Sequence, residues 1–193
     1  MSDYLTVGLA VVLCAAAVKL FDDWLDQDRD QAANKANWVT VLGPGTTIYA
    51  ALLLAIAAAL HAPVSLSLFF ASYGIGMFHD FGRLLPSRLR GWQESVLVWG
   101  LGSVIFGWQI MLFSMLFIAG VQLFDDCLDL AADRRSGQRN LAGRFGLIEC
   151  LLAGLLFMLS ACWLSADLFP PVMAGTTVFY ICLLGVSEGK PWN

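Results

Sequence analysis

Asp22-Asp23-Trp24-Leu25-Asp26-Gln27-Asp28-Arg29-Asp30 and Asp125-Asp126-Cys127-Leu128-Asp129-Leu130-Ala131-Ala132-Asp133 both read D-D-x-L-D-x-x-x-D. Each follows an apolar run ending in Leu-Phe, Leu20-Phe21 in one case and Leu123-Phe124 in the other. Nine of the fifteen acidic residues fall inside these two windows, so the rest of the chain carries little negative charge. A shift of 103 residues lays Asp22, Asp23, Asp26 and Asp30 on Asp125, Asp126, Asp129 and Asp133. The same shift lays Val18, Leu20, Phe21 and Leu25 on Val121, Leu123, Phe124 and Leu128. The windows are therefore an internal repeat, and two alike helix-plus-acid units suggest pseudo-twofold packing around a shared cavity.

Around the windows the chain is apolar. Of 193 residues, 59% are hydrophobic and 13% charged, with a mean hydropathy of +0.72. Soluble domains carry about 25% charged residues, and a shortfall of this size points to an integral membrane protein. The net charge of −4 is set by the two clusters, and neither a basic tail nor aromatic-basic interleaving suggests a nucleic-acid partner. Cys14, Cys127, Cys150, Cys162 and Cys182 show no metal-ligand spacing and read as small packing residues.

Seven spans are expected: residues 4–21, about 38–60, about 64–78, two within 96–124, about 147–164 and about 172–186. The run 96–124 holds 29 residues, whereas one membrane helix needs about 20. Gly107-Trp108-Gln109 is the expected break. Gly43-Pro44-Gly45 should kink the start of the second span, and His61-Ala62-Pro63 should turn the chain after it. Charge supports seven spans. All eleven basic residues then fall on one side, in the loops after spans one, three and five, at the adjoining end of span one (Lys19) and in the C-terminal tail. The opposite side has none, which satisfies the positive-inside rule with the N-terminus out, the C-terminus in, and both acidic windows facing the cytoplasm. The expected fold is thus all-α: a single membrane-embedded domain over 1–193, a polytopic bundle of about seven helices with two pseudo-repeated aspartate units.

If each span continues as a helix through its window, spacings of three and four put Asp22 or Asp23, Asp26 and Asp30 on one face. Asp125 or Asp126, Asp129 and Asp133 behave alike. Such crowding of carboxylates is costly unless a hard divalent cation sits there. Mg²⁺ binds through a few carboxylates, water and substrate phosphate oxygens, so two such faces could hold a diphosphate. Arg134, Arg135, Arg139 and Arg144 after the second window, and Arg83, Arg88 and Arg90 on the same side, suit phosphate oxygens. The apolar spans would accept an isoprenoid tail and keep water from an allylic cation. Asp28 breaks the repeat and reads as solvated. His79-Asp80 reads as a helix-end cap, His61 as structural, and Glu149 as a shallow acid in the sixth span, equally compatible with a functional and a structural role.

With these residues in register, the chain resembles the UbiA superfamily of intramembrane prenyltransferases. Asp22, Asp23, Asp26 and Asp30 match its first motif, N/D-D-x-x-D-x-x-x-D. Asp125, Asp129, Asp133, Arg134, Gly137, Leu141 and Gly146 match its second, D-x-x-x-D-x-x-x-D-R-x-x-G-x-x-T-L-x-x-x-x-G, with Asn140 in place of Thr. The resemblance implies a prenyl diphosphate donor, a hydrophobic and usually aromatic acceptor, and Mg²⁺ bound through both motifs. It makes Asp22, Asp23, Asp26, Asp30, Asp125, Asp126, Asp129 and Asp133 the expected catalytic residues. Asp23, Asp26, Asp30, Asp125, Asp129 and Asp133 are the expected metal ligands. Lys35, Arg88, Arg134 and Arg139 are the expected contacts to substrate. The seven spans correspond to the family's second to eighth of nine, a reduced bundle that could have a wider lateral opening, need a dimer partner or accept an unusual acceptor. Asn34-Lys35-Ala36-Asn37-Trp38 replaces the family's basic segment after the first motif, and Arg83, Arg88 and Arg90 replace its middle-loop Tyr and Lys. Two other readings use the same residues: a membrane class I terpene cyclase of this family, and a non-catalytic protein that binds a diphosphate or cation.

Overall fold

The computed structural model describes residues 2–32, 37–76, 82–136 and 140–188. Among them the regular structure is helical. Helix α1 (Ser2–Leu25) is followed by α2 (Gln27–Ala32), α3 (Val39–Leu42), a 3₁₀ turn at Gly43–Gly45 and α4 (Thr46–Gly76). Then come α5 (Gly91–Phe106), α6 (Trp108–Leu128), α7 (Leu130–Ser136), α8 (Leu141–Phe145), α9 (Leu147–Leu164) and α10 (Phe169–Glu188). The chain forms two compact units, Met1–Phe69 with Asp167–Asn193, and Phe70–Ala166.

Each break expected from the sequence is found, and each has a local cause. Gly107 sits at φ 92°, ψ 143° between α5 and α6 and divides the long apolar run. That left-handed φ is open to glycine and strained for a residue with a Cβ. Gly43 likewise takes φ 58° and starts the 3₁₀ turn, where Pro44 supplies a ring-fixed φ and lacks the N–H that would be orphaned. Helix α4 is bent at His61 (φ −156°, ψ 82°), two residues before Pro63. His61 Nδ1 accepts from the Val64 N–H at 3.3 Å and Ser65 Oγ donates to the His61 carbonyl at 2.8 Å, so His61 caps the second limb of α4.

Among the described residues, four helical stretches are long and apolar enough to cross a membrane: Asp3–Leu25, Val39–Gly76, Trp108–Leu128 and Leu147–Leu164. The second holds 38 residues and is bent at His61, so its two limbs match the second and third expected spans. Helix α5 and the shorter apolar stretch Phe169–Leu184 of α10 match the fourth and seventh. The distribution of side chains fits a lipid environment. Trp163 is 88% exposed and Val104 84%, and Leu152, Leu156 and Leu159 also point outward. Patches this apolar are unfavourable in water. The interior instead holds Ala10, Ala17, Ala50, Ala57, Ala71, Ser65, Ser67 and Ser114, the small residues that let helices approach where hydrophobic burial supplies no net drive.

In the first unit α1 packs on α10, with Gly175 against the Gly8 backbone. A Cβ on Gly175 would stand 2.6 Å from the Gly8 carbonyl oxygen. In the second unit α6 packs along α9, where Gly120 meets Met158 and Gly154 meets Phe124. Phe113 and Phe117 stack with centroids 6.0 Å apart inside this unit.

Candidate functional site

The first window lies at the α1–α2 junction. The helix breaks at Asp26, yet the Asp26 N–H still reaches the Asp22 carbonyl and the Asp30 N–H the Asp26 carbonyl, each at 2.9 Å. The carboxylates therefore keep near-helical spacing through a bend. Asp23 is 2% exposed. One of its oxygens pairs with Lys19 Nζ at 2.7 Å and the other accepts from the Trp38 N–H at 3.0 Å. Lys19 thus holds a buried carboxylate one helical turn away. Asn37 Nδ2 donates to the Asp23 carbonyl and to Asp30 Oδ2, both at 2.8 Å, while its Oδ1 accepts from the Val39 N–H at 2.8 Å.

The second window is built the same way at the α6–α7 junction. The break falls at Asp129, bridged by Asp129 N–H to Asp125 carbonyl at 2.8 Å and Asp133 N–H to Asp129 carbonyl at 2.9 Å. Asp126 is 7% exposed and accepts from the Leu141 N–H at 3.0 Å. Asn140 Nδ2 donates to the Asp126 carbonyl at 2.7 Å and to Asp133 Oδ2 at 2.9 Å. Its Oδ1 accepts from the Gly143 N–H at 2.9 Å and so caps α8. Asn37 and Asn140 are separated by the same 103 residues as the aspartates, as are Gly43 and Gly146, both of positive φ. Three side-chain hydrogen bonds thus recur position for position; the fourth shifts by one residue, from Val39 to Gly143.

This equivalence sorts the aspartates. Asp23 and Asp126 are the buried pair that caps the returning chain. Asp22 and Asp125 are the equivalent first residues, with Asp22 exposed and Asp125 partly so. Asp26 and Asp30 are partly exposed, Asp129 is exposed and Asp133 is 7% exposed. Asp28 is exposed, as its break from the repeat implies. Among the described residues no three His, Cys, Asp or Glu side chains converge tightly enough to hold a metal ion by themselves. Arg134 is exposed in α7 beside Asp133. Lys35, Arg139, His79 and Asp80 lie outside the described residues.

Arg88 occupies an ordered turn. The Arg88 N–H bonds the Leu85 carbonyl at 2.9 Å and the Leu85 N–H bonds the Leu89 carbonyl at 2.8 Å, with Arg88 at φ 66°. The turn is pinned by Glu94, whose carboxylate accepts from the Tyr73 and Ser87 hydroxyls. These hydrogen bonds hold the Glu94 carboxyl below its ordinary range, Ser87 contributing most. The sequence reading missed this cluster, and no spacing within 73–94 signals it. Glu149 stands in the first turn of α9 with its carboxylate folded over Gly146, a favourable place for negative charge at a helix start. A cavity of about 350 Å³ lined by Asp3, Tyr4, His61 and Asp167 contains none of the expected site residues.

No protein-family model matches the chain, and no curated protein or solved structure is significantly similar to it.

Proposed function

We infer that the protein is a Mg²⁺-dependent membrane prenyltransferase that moves a prenyl group from a polyprenyl diphosphate to a lipid-soluble, typically aromatic acceptor. The observation that supports this most is the second appearance of one whole arrangement: three aspartates at helical spacing, a buried aspartate cap and an asparagine clasp, each at an offset of 103 residues. We read the two windows as copies of one ancestral unit, both facing the cytoplasm by the distribution of basic charge. The resemblance to the UbiA superfamily rests on the same residues.

Magnesium fits this donor set. Carboxylate oxygens are its preferred ligands, and it keeps several waters while taking one or two carboxylates and the substrate's phosphate oxygens. By the register of the repeat, Asp22, Asp26 and Asp30 form one donor set and Asp125, Asp129 and Asp133 the other. Asp22 takes the place expected of Asp23, whose two oxygens are engaged by Lys19 and the Trp38 N–H. The bound metal would neutralise charge growing on the leaving diphosphate.

The chain's own residues do the rest. Arg134, exposed next to Asp133, offers a guanidinium to phosphate oxygens. The apolar helices hold the prenyl tail and exclude water from the allylic carbon. The C1–O bond breaks with its electron pair leaving on diphosphate. The acceptor then bonds C1 and releases its proton to water.

The test is mass spectrometry of products, with pyrophosphate release, from purified protein supplied with Mg²⁺, a panel of prenyl diphosphates and a membrane lipid extract. A prenylated acceptor is expected. Asp129→Ala should insert normally and abolish turnover, as should Asp26→Ala in the other window. Robust Mg²⁺-dependent turnover in either variant, or no pyrophosphate release from any donor, defeats the assignment. A cyclised hydrocarbon formed from donor alone would replace it with the cyclase reading.

A further inference from the structure

We propose that Asn37 and Asn140 are the positioning residues of the two aspartate windows, each setting the orientation of the window's last carboxylate for the diphosphate-bound cation. This rests on the function proposed above and deepens it. Each asparagine spends its amide in the same way: two N–H donors go to the backbone carbonyl at the window's start and to the carboxylate at its end, and the oxygen accepts from a following backbone N–H. Asparagine suits this work because one short planar group carries two donors and an acceptor. Serine carries one donor. Aspartate carries none when ionised and would repel Asp30 or Asp133.

The surroundings of the two clasps differ while the clasps agree. Lys19 becomes Gln122, Trp38 becomes Leu141 and Val39 becomes Ala142 under the shift. Yet the Asn-to-carbonyl distances are 2.8 and 2.7 Å, the Asn-to-carboxylate distances 2.8 and 2.9 Å, and the Asp-to-backbone distances both 3.0 Å. Closing the loop onto the window requires the cap by Asp23 or Asp126 and the amide bond to its carbonyl. The bond to Asp30 or Asp133 is an additional one. It fixes one oxygen of a carboxylate that two like charges, one and two helical turns earlier, would otherwise push towards solvent. Groups that orient metal ligands in this way typically cost about 10–100-fold in metal affinity when removed.

The experiment uses the full chain in nanodiscs, with Mn²⁺ as a paramagnetic probe and inorganic pyrophosphate present. Electron paramagnetic resonance follows loss of the free Mn²⁺ signal in wild type, Asn37→Ala, Asn140→Ala and the reference variant Asp129→Asn, and thermal unfolding is measured alongside. Wild type should bind. Both asparagine variants should bind about 10–100-fold more weakly, by similar factors, and the Mg²⁺ concentration for half-maximal turnover should rise in parallel. Weakening must appear at temperatures where the variants are folded. If either alanine variant does not fold, Asn37→Ser and Asn140→Ser, which keep one donor and an acceptor, are measured in its place. Wild-type affinity in folded asparagine variants while Asp129→Asn binds weakly overturns the positioning role and leaves the proposed function standing. A wild-type protein that takes up no Mn²⁺ with pyrophosphate overturns both.

Discussion

Asp126 gives a test of how the second window is held together. Its carboxylate is 7% exposed and accepts from the Leu141 N–H at 3.0 Å, while its backbone carbonyl independently takes the Asn140 amide. Asp126→Ala therefore removes the cap and leaves the clasp. A hydrogen bond to a charged acceptor contributes about 1.5–3 kcal/mol, and removal of an aspartate cap costs about 0.5–2 kcal/mol. Removing a buried charge offsets part of the loss, so a destabilisation of about 2 kcal/mol follows. For a chain of this size that lowers Tm by about 4–8 °C. Cys150 is buried in α9 within the same unit, and Cys14 is buried in α1 within the other. Labelling Cys150 with a thiol reagent, read by peptide mass spectrometry under conditions where opening precedes labelling, should quicken by about 30-fold in the variant. Cys14 labelling should change far less. Asp126→Asn retains an oxygen acceptor for the Leu141 N–H and should recover most of the loss. Unchanged Cys150 labelling in Asp126→Ala, or equal damage from Asn and Ala, would refute the cap.

Three further outcomes are expected. Gly175→Ala should destabilise the α1–α10 contact by about 1–3 kcal/mol through overpacking, because the added carbon meets the fixed Gly8 carbonyl oxygen at 2.6 Å. Gly100→Ala in α5 meets nothing within 4 Å and should be neutral or stabilising by up to about 1 kcal/mol; thermal unfolding of both variants reads the opposite signs. Arg88→Gly removes left-handed backbone strain of about 1–2 kcal/mol at φ 66°, so it should raise Tm, and a concurrent rise in KM for prenyl diphosphate would identify Arg88 as a substrate contact. Glu94 is held below its ordinary pKa by the Ser87 and Tyr73 hydroxyls, so its contribution to the 82–90 turn is present above the ordinary carboxylate range and lost as pH falls through the depressed value. Hydrogen exchange of the Leu85 and Arg88 amides should accelerate at that low pH, and Ser87→Ala should move the transition upward.

The helices were legible because one-dimensional features determine them. Seven apolar runs, the Gly107 break, the Gly43-Pro44-Gly45 turn and the His61 bend each follow from hydropathy or from backbone preferences at named residues. The aspartate windows were legible for the same reason, since a repeat of charge at helical spacing survives without any knowledge of contacts. The division of labour inside each window was not. Helical periodicity treats Asp22 and Asp23 as interchangeable on one face, whereas Lys19 and the returning chain at Trp38 both single out Asp23. That return joins residues fourteen and fifteen apart, beyond the reach of any helical spacing. A signal was nevertheless present. The shift that aligns the acids also aligns Asn37 with Asn140 and Gly43 with Gly146, four residues whose agreement lies outside the windows and looks sparse beside them. Their meaning comes from the fold. The glycines supply the positive φ that starts the next long helix of each unit, and the asparagines tie the chain before that turn to the acids behind it. The repeat is therefore a helix, an acidic bend, a clasp and a glycine turn. The acids are the part of it that shows in sequence because they are numerous; the clasp ties the last of them to the returning chain.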